Sequence, residues 1–223
     1  MTAAAHGPCR RWTVPAGCAA ALLALSVAVV VAGPAPFAVD SALHSWAVTH
    51  RPHGPAAFAR GLTASGTGIW PYLMASAAGI IAGRGARGRI RAAVAALACL
   101  ATGQAARYGL MTLIARPRPP AADWAAHASG HSFPSGHATT SALAAGLLCG
   151  AIVHRARPVA ARLLCGVALS WAAAVGLTRI YLGVHWPTDV AAGWLFATVW
   201  LAAAAALFGH RGRTRWRSTL PDE

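Results

Sequence analysis

The sequence predicts an all-α fold, an integral membrane bundle of six transmembrane helices with an interfacial helix between the first and second. Three observations predict it. Of the 223 residues, 57% are hydrophobic and only 11% charged, too apolar for an ordinary soluble domain. Apolar runs approaching the ~20 residues needed to cross a bilayer recur six times. The formal charge of +14 comes from 19 arginines, with no lysine, gathered in short clusters between those runs. A nucleic-acid binder would need a continuous basic face, so this placement fits topology signals and anionic-lipid contacts instead. The length fits one domain, residues 1–223.

The first run, 16–37, follows Arg10 and Arg11 and ends in small residues, which is also the shape of a signal peptide. It is read as an anchor, and cleavage would leave the later topology unchanged. Residues 39–64 alternate apolar positions with His44, His50, Arg51 and His53, predicting an amphipathic interfacial segment with solvated histidines. The second and third runs are 66–83 and 92–115, and the third carries Arg107, the one arginine inside a crossing. The fourth, 138–153, is short, but Gly136 and His137 can begin its helix at the interface. Runs 163–182 and 190–209 complete the six, and the fourth run's wealth of Ala and Gly predicts close helix packing. Cys9, Cys18, Cys99, Cys149 and Cys165 have neither zinc-site nor disulfide spacing and read as small apolar filler.

Charge asymmetry orients the bundle. Thirteen arginines (10, 11, 84, 87, 89, 91, 155, 157, 162, 211, 213, 215, 217) fall on one side, and Arg51, Arg60, Arg116, Arg118 and Arg179 on the other. The positive-inside tendency then places both termini in the cytoplasm. The opposite side, facing the periplasm or exterior, holds three polar clusters: Arg116-Pro117-Arg118-Pro119, Pro134-Ser135-Gly136-His137, and Thr178-Arg179 with His185 and Asp189. Arginine offers phosphate a fixed fork of donors, and a histidine oriented by a carboxylate acts as base or nucleophile near neutral pH. Ser135 and Gly136 precede an apolar helix, whose N-terminus favours an anion. Asp189 follows His185 by four residues, which makes the two side chains neighbours if that turn is helical.

Between Arg107 and Asp189 the chain resembles the type 2 phosphatidic acid phosphatase superfamily, whose signatures are Lys-x6-Arg-Pro, Pro-Ser-Gly-His and Ser-Arg-x5-His-x3-Asp. Pro134 to His137 match in full; Arg179, His185 and Asp189 keep the third spacing, with Thr178 in place of serine. Arg118-Pro119 match the end of the first signature, but Met111 stands where the family has lysine. Arg107, one helical turn earlier, or Arg116 is expected to supply the missing cation.

The resemblance implies a lipid phosphatase in which His185 attacks phosphorus, Asp189 holds its tautomer and His137 protonates the leaving oxygen. Arg118, Arg179, Ser135 and Gly136 would bind the phosphate. Phosphatidic acid, phosphatidylglycerophosphate and polyprenyl diphosphates are the candidate substrates, reached from the outer leaflet. No cofactor or metal is expected in this scheme. Asp40, Asp123 and Asp189 are the only acids away from the termini, too few for a carboxylate-held magnesium centre. A zinc site from His127, His131, His137 and His185 is the competing arrangement, disfavoured by the neighbouring arginines. His127, His131, Asp123 and Trp124 either select the headgroup or pack the loop. Two other functions remain: a phosphotransferase using an acceptor other than water, and a lipid or anion transporter. The latter is weakened by apolar helix interiors. Membrane lipids are the expected partners, and the sequence sets no oligomeric state.

Overall fold

A computed structural model describes residues 12–217, with side chains described for 12–207. Among the described residues every regular element is helical: α1 (Thr13–Ala32), α2 (Ala38–Thr49), α3 (His53–Ala64), α4 (Trp70–Ala82), α5 (Gly85–Ile114), α6 (Gly136–Val153), α7 (Pro158–Tyr181) and α8 (Pro187–Arg217), plus a 3-10 turn at Ala121–Asp123. Arg10, Arg11 and Cys9 lie outside the described residues, as do the side chains of Arg211, Arg213, Arg215 and Arg217.

Among the described residues four helices are long and apolar enough to cross a membrane: α1, α6, α7 and α8 as far as Leu207. The other two expected runs differ in instructive ways. α4 has 13 residues, because Gly68 adopts a left-handed φ of +61° and Thr67 and Gly68 lie in the turn before it. At ~1.5 Å per residue it spans about 20 Å, less than a hydrocarbon core. α5 runs for 30 residues, but its first turns carry Arg87, Arg89 and Arg91, which dilute its apolar character. It stops at Ala115, held in the left-handed region at φ +52° with its N–H on Met111 O, and Pro117 forbids resumption. The expected interfacial segment forms two helices, α2 and α3, separated where Pro52 takes an extended conformation.

α6 is the central column, flanked by α4, α5, α7 and α8. Half of it is buried, against 6% of α1, whose apolar side chains face outward as they would toward lipid. Leu100 and Leu143 are fully buried with Ala75, Ala96 and Ala197, joining α4, α5, α6 and α8. Close approach depends on glycine at two places. A Cβ on Gly79 would lie 2.3 Å from the Ala93 backbone, so α4 and α5 meet main chain to main chain. A Cβ on Gly193 would crowd Ser135 O at 3.0 Å, so α8 lies directly against the turn that opens α6.

Candidate active site

That turn lies on a cavity of about 730 Å³ lined by Arg107 and Met111 of α5, Arg118, Gly136 and His137, Arg179 of α7, and His185. The three polar clusters of the sequence therefore share one cavity. Each arrives by a different local device. Ala115 and Pro117 end α5 and release Arg118 into the loop. Ser135, extended at φ −62° and ψ 122°, turns the chain into α6 so that Gly136 and His137 are its first residues. Arg179 sits in the last turn of α7, and Gly183 at φ +74° reverses the chain toward His185 and α8. A Cβ at Gly183 would come within 2.5 Å of Asp123 O, so the reversal needs glycine twice over.

His185 is buried at the centre. Its Nε2 lies 3.0 Å from Arg118 Nη1, and its Nδ1 lies 3.4 Å from Asp189 Oδ2. A guanidinium has no acceptor, so Arg118 donates into an Nε2 lone pair and the ring proton sits on Nδ1, facing the carboxylate. Burial pushes the His185 pKa down to about 4, helped by Arg118 and Arg179 and opposed by Asp189, so the imidazole is neutral near pH 7. Arg118 itself is held below the usual arginine range, first by burial and then by Arg107, against the pull of Asp189.

The carboxylate of Asp189 is fully buried and saturated with donors. Oδ2 accepts from Ser132 Oγ and from the Trp186 N–H at 2.8 Å, while Oδ1 accepts from Arg116 Nη1 at 2.6 Å. Arg118 links the two loops by donating to Gly130 O (3.0 Å), Ser129 O (2.8 Å) and Val184 O (2.7 Å). Arg179 donates from Nη1 to Thr63 Oγ1 at 3.1 Å. The Thr178 hydroxyl, at the family's serine position, turns back to Val175 O at 2.6 Å and so serves its own helix.

The two cations considered for the missing lysine part company here. Arg107 lines the cavity, its guanidinium carbon 3.4 Å from where a Gly136 Cβ would stand, and its Nη1 lies 3.1 Å from Met111 Sδ. Arg116 is 3% exposed, does not line the cavity, and is bound between Asp40 and Asp189. Arg116 is thus paired inside the protein, away from the cavity that Arg107 lines. Ser135 is fully buried, and its Oγ has no hydrogen-bond partner. His127 lines the cavity beside Ser129 and Gly130, whereas His131 is exposed and does not. Among the described residues no three His, Cys, Asp or Glu side chains are grouped to hold a metal ion, so the four histidines weighed for zinc are not assembled as ligands.

Sequence reasoning missed Ser132 and the working partnership of Asp40, whose only signal was an acid standing alone in an otherwise apolar segment. It also missed His44, which is buried on α2, meets Asp123 Oδ2 at 2.9 Å and packs on the Trp186 ring at 5.2 Å.

The chain has relatives among known proteins. A family model described as the PAP2 superfamily matches residues 92–213. A protein of Escherichia coli (strain K12) bearing the name "Putative undecaprenyl-diphosphatase YbjG" is 35% identical over 98 residues, which is 41% of this chain and 44% of that protein. The chain thus matches less than half the length of that relative. Among solved structures, the crystal structure of the first transmembrane PAP2 type phosphatidylglycerolphosphate phosphatase from Bacillus subtilis superposes with a TM-score of 0.72. The alignment covers 88% of this chain and 96% of that one at 24% identity, a likeness of fold.

Proposed function

The chain belongs to the PAP2 superfamily, and from that premise we propose that it is a multi-pass membrane enzyme removing phosphate from a lipid phosphomonoester or diphosphate. One observation carries the reading: buried His185 has its Nε2 3.0 Å from Arg118, in a cavity also lined by Arg107 and Arg179, while its Nδ1 lies 3.4 Å from the buried carboxylate of Asp189. In the proposed reaction Nε2 of His185 attacks phosphorus and the bond to the lipid oxygen breaks. His137, entering as the imidazolium that the bound phosphate anion favours, gives that oxygen its proton. Water then attacks the phosphohistidine, His137 takes the water's proton, and the P–Nε2 bond breaks to release inorganic phosphate. Splitting one displacement into two lowers each barrier, and a positioned acid is worth ~10²- to 10⁴-fold.

Arg118, Arg179 and Arg107, with the Ser135 hydroxyl and the Gly136 backbone, stabilise the phosphoryl oxygens as charge shifts among them. Arg107 takes the part of the motif lysine that Met111 replaces. As a planar fork one turn earlier on α5, it reaches the same space by a different path. The scheme needs no metal. Six crossings, with α4 and α5 joining α1, α6, α7 and α8, would put both termini in the cytoplasm and the cavity at the outer face. There phosphatidic acid, phosphatidylglycerophosphate or a polyprenyl diphosphate would enter from the outer leaflet. The whole chain acts as one domain.

The test is phosphate release by the detergent-purified protein from a panel of those three lipids, with H185A alongside. Release from at least one lipid, abolished in H185A, is expected. No release from any of them, or full turnover by H185A, would overturn the proposal, and label on an acceptor other than water would make the enzyme a transferase.

A further inference from the structure

We propose that Asp40 is a positioning residue for His185: by sharing Arg116 with Asp189, it leaves a net negative charge on the carboxylate side of the imidazole. The inference rests on His185 being the nucleophile. Asp40 is fully buried, on the face of α2 that also buries His44 and Ala47. Its Oδ2 accepts from Arg116 Nη2 at 2.7 Å, and the other arm of the same guanidinium donates to Asp189 Oδ1 at 2.6 Å. Two carboxylates thus share one cation. A lone buried guanidinium against Asp189 would cancel most of the field that carboxylate exerts on the ring, whereas the shared one cannot.

Asp40 also fixes where Asp189 sits. Its Oδ1 accepts the Thr188 N–H at 3.0 Å, a donor in the first turn of α8, so α2 helps cap that helix. The Thr188 hydroxyl accepts from Arg116 at 2.7 Å and donates to Asp40 Oδ2 at 2.8 Å, closing the circuit one residue before Asp189. The consequence for chemistry follows from charge. Attack by Nε2 leaves the imidazole ring cationic, and a net negative partner at Nδ1 favours that state. Among the described residues the groups facing His185 are Asp189 of α8, Arg118 of the α5–α6 loop, Arg179 of α7 and His137 of α6, and of these only Asp189, which shares Arg116 with Asp40, is negative.

The experiment compares the full chain with D40N and with the double variant D40N/R116Q, each purified in detergent and shown to be monodisperse. Two quantities are read: kcat and KM for phosphate release, and the protonated fraction of His185 at pH 4 from ¹⁵N-histidine NMR. In D40N the whole guanidinium turns to Asp189, so the protonated fraction should drop and kcat should fall by about tenfold or more with KM within about threefold, since one pK unit is tenfold in equilibrium. The double variant restores one net negative charge and should recover most of both losses. An unchanged His185 signal in D40N, or a folded double variant that recovers neither quantity, overturns the proposal. If D40N fails to fold, the double variant decides alone. A wild-type-like His185 signal supports the proposal and a depressed one overturns it. The NMR reading does not depend on turnover, so its failure is distinguishable from a failure of the phosphatase reading, which H185A and the lipid panel test.

Discussion

Two cavities lie along α6, and they differ in kind. The one at its N-terminus, about 730 Å³, is lined by three arginines and three histidines. The other, about 460 Å³ and lower on the same helix, is lined mainly by alanine and glycine of α4, α5, α6 and α8, including Gly79, Gly146, Gly150 and Ala151. The first is built by chain that leaves the helices, since Arg118 and His185 stand in loops and Gly136 and Arg179 on end turns. The second is built by side chains too small to fill the gap between columns. Apart from Arg107, which stands within α5, the chemistry concentrates in loops and end turns, and the alanine- and glycine-lined cavity serves close approach.

If that division is right, the largest expected loss comes from a cation in the first cavity. Arg107→Gln should reduce kcat/KM for the lipid substrate by about 10²- to 10³-fold, the usual cost of one donor to developing charge. Met111→Lys introduced into R107Q should recover a substantial part, because it restores a cation at the family's position. Near-normal turnover in R107Q, measured by phosphate release, would leave Arg107 a structural residue.

A smaller and graded effect is expected from acid. His185 is the attacking group only when neutral, and burial holds its pKa at about 4. Because the shift is downward, the reactive form persists as pH falls from 7 and is lost only as pH passes below about 4, after which kcat/KM should drop about tenfold per unit. A limb centred near the ordinary histidine value, with a substrate whose own ionisation is separated from it, would contradict the burial described above.

The smallest effects belong to the second cavity. Gly150→Ala meets nothing within 4 Å and should leave turnover unchanged while raising stability by up to about 1 kcal/mol through helix propensity. Gly79→Ala drives a methyl into the Ala93 backbone and should lower the melting temperature, since overpacking costs ~1–3 kcal/mol, with kcat of the folded fraction preserved. A loss of kcat in G150A would show that the two cavities are not independent.

What was legible in the sequence was what is local. His185 and Asp189 are four apart, Pro187 opens α8, and Ser135 turns the chain into α6, so spacing alone placed them. Arg116 was not legible, because its partner Asp40 lies 76 residues away and no pattern near either position announces the other. The same holds for Ser132 and Asp189, 57 residues apart. In the fold, the apolar run from 66 is continuous in composition, but the turn at Thr67 and Gly68 withholds its start from the helix. Hydropathy counts side chains, and a left-handed glycine is a property of the backbone.

The bonds from Asp40 to the Thr188 N–H and hydroxyl span 148 residues, well over half of the described chain. During synthesis α2 emerges early, and its carboxylate waits for two partners: Arg116, after α5, and Thr188, at the start of the last helix. A chain halted before residue 188 therefore has a carboxylate committed to the interior with two of its three donors unmade. The order of translation and the completion of the site are tied together, so the reactive centre comes into being only as the final helix takes its place.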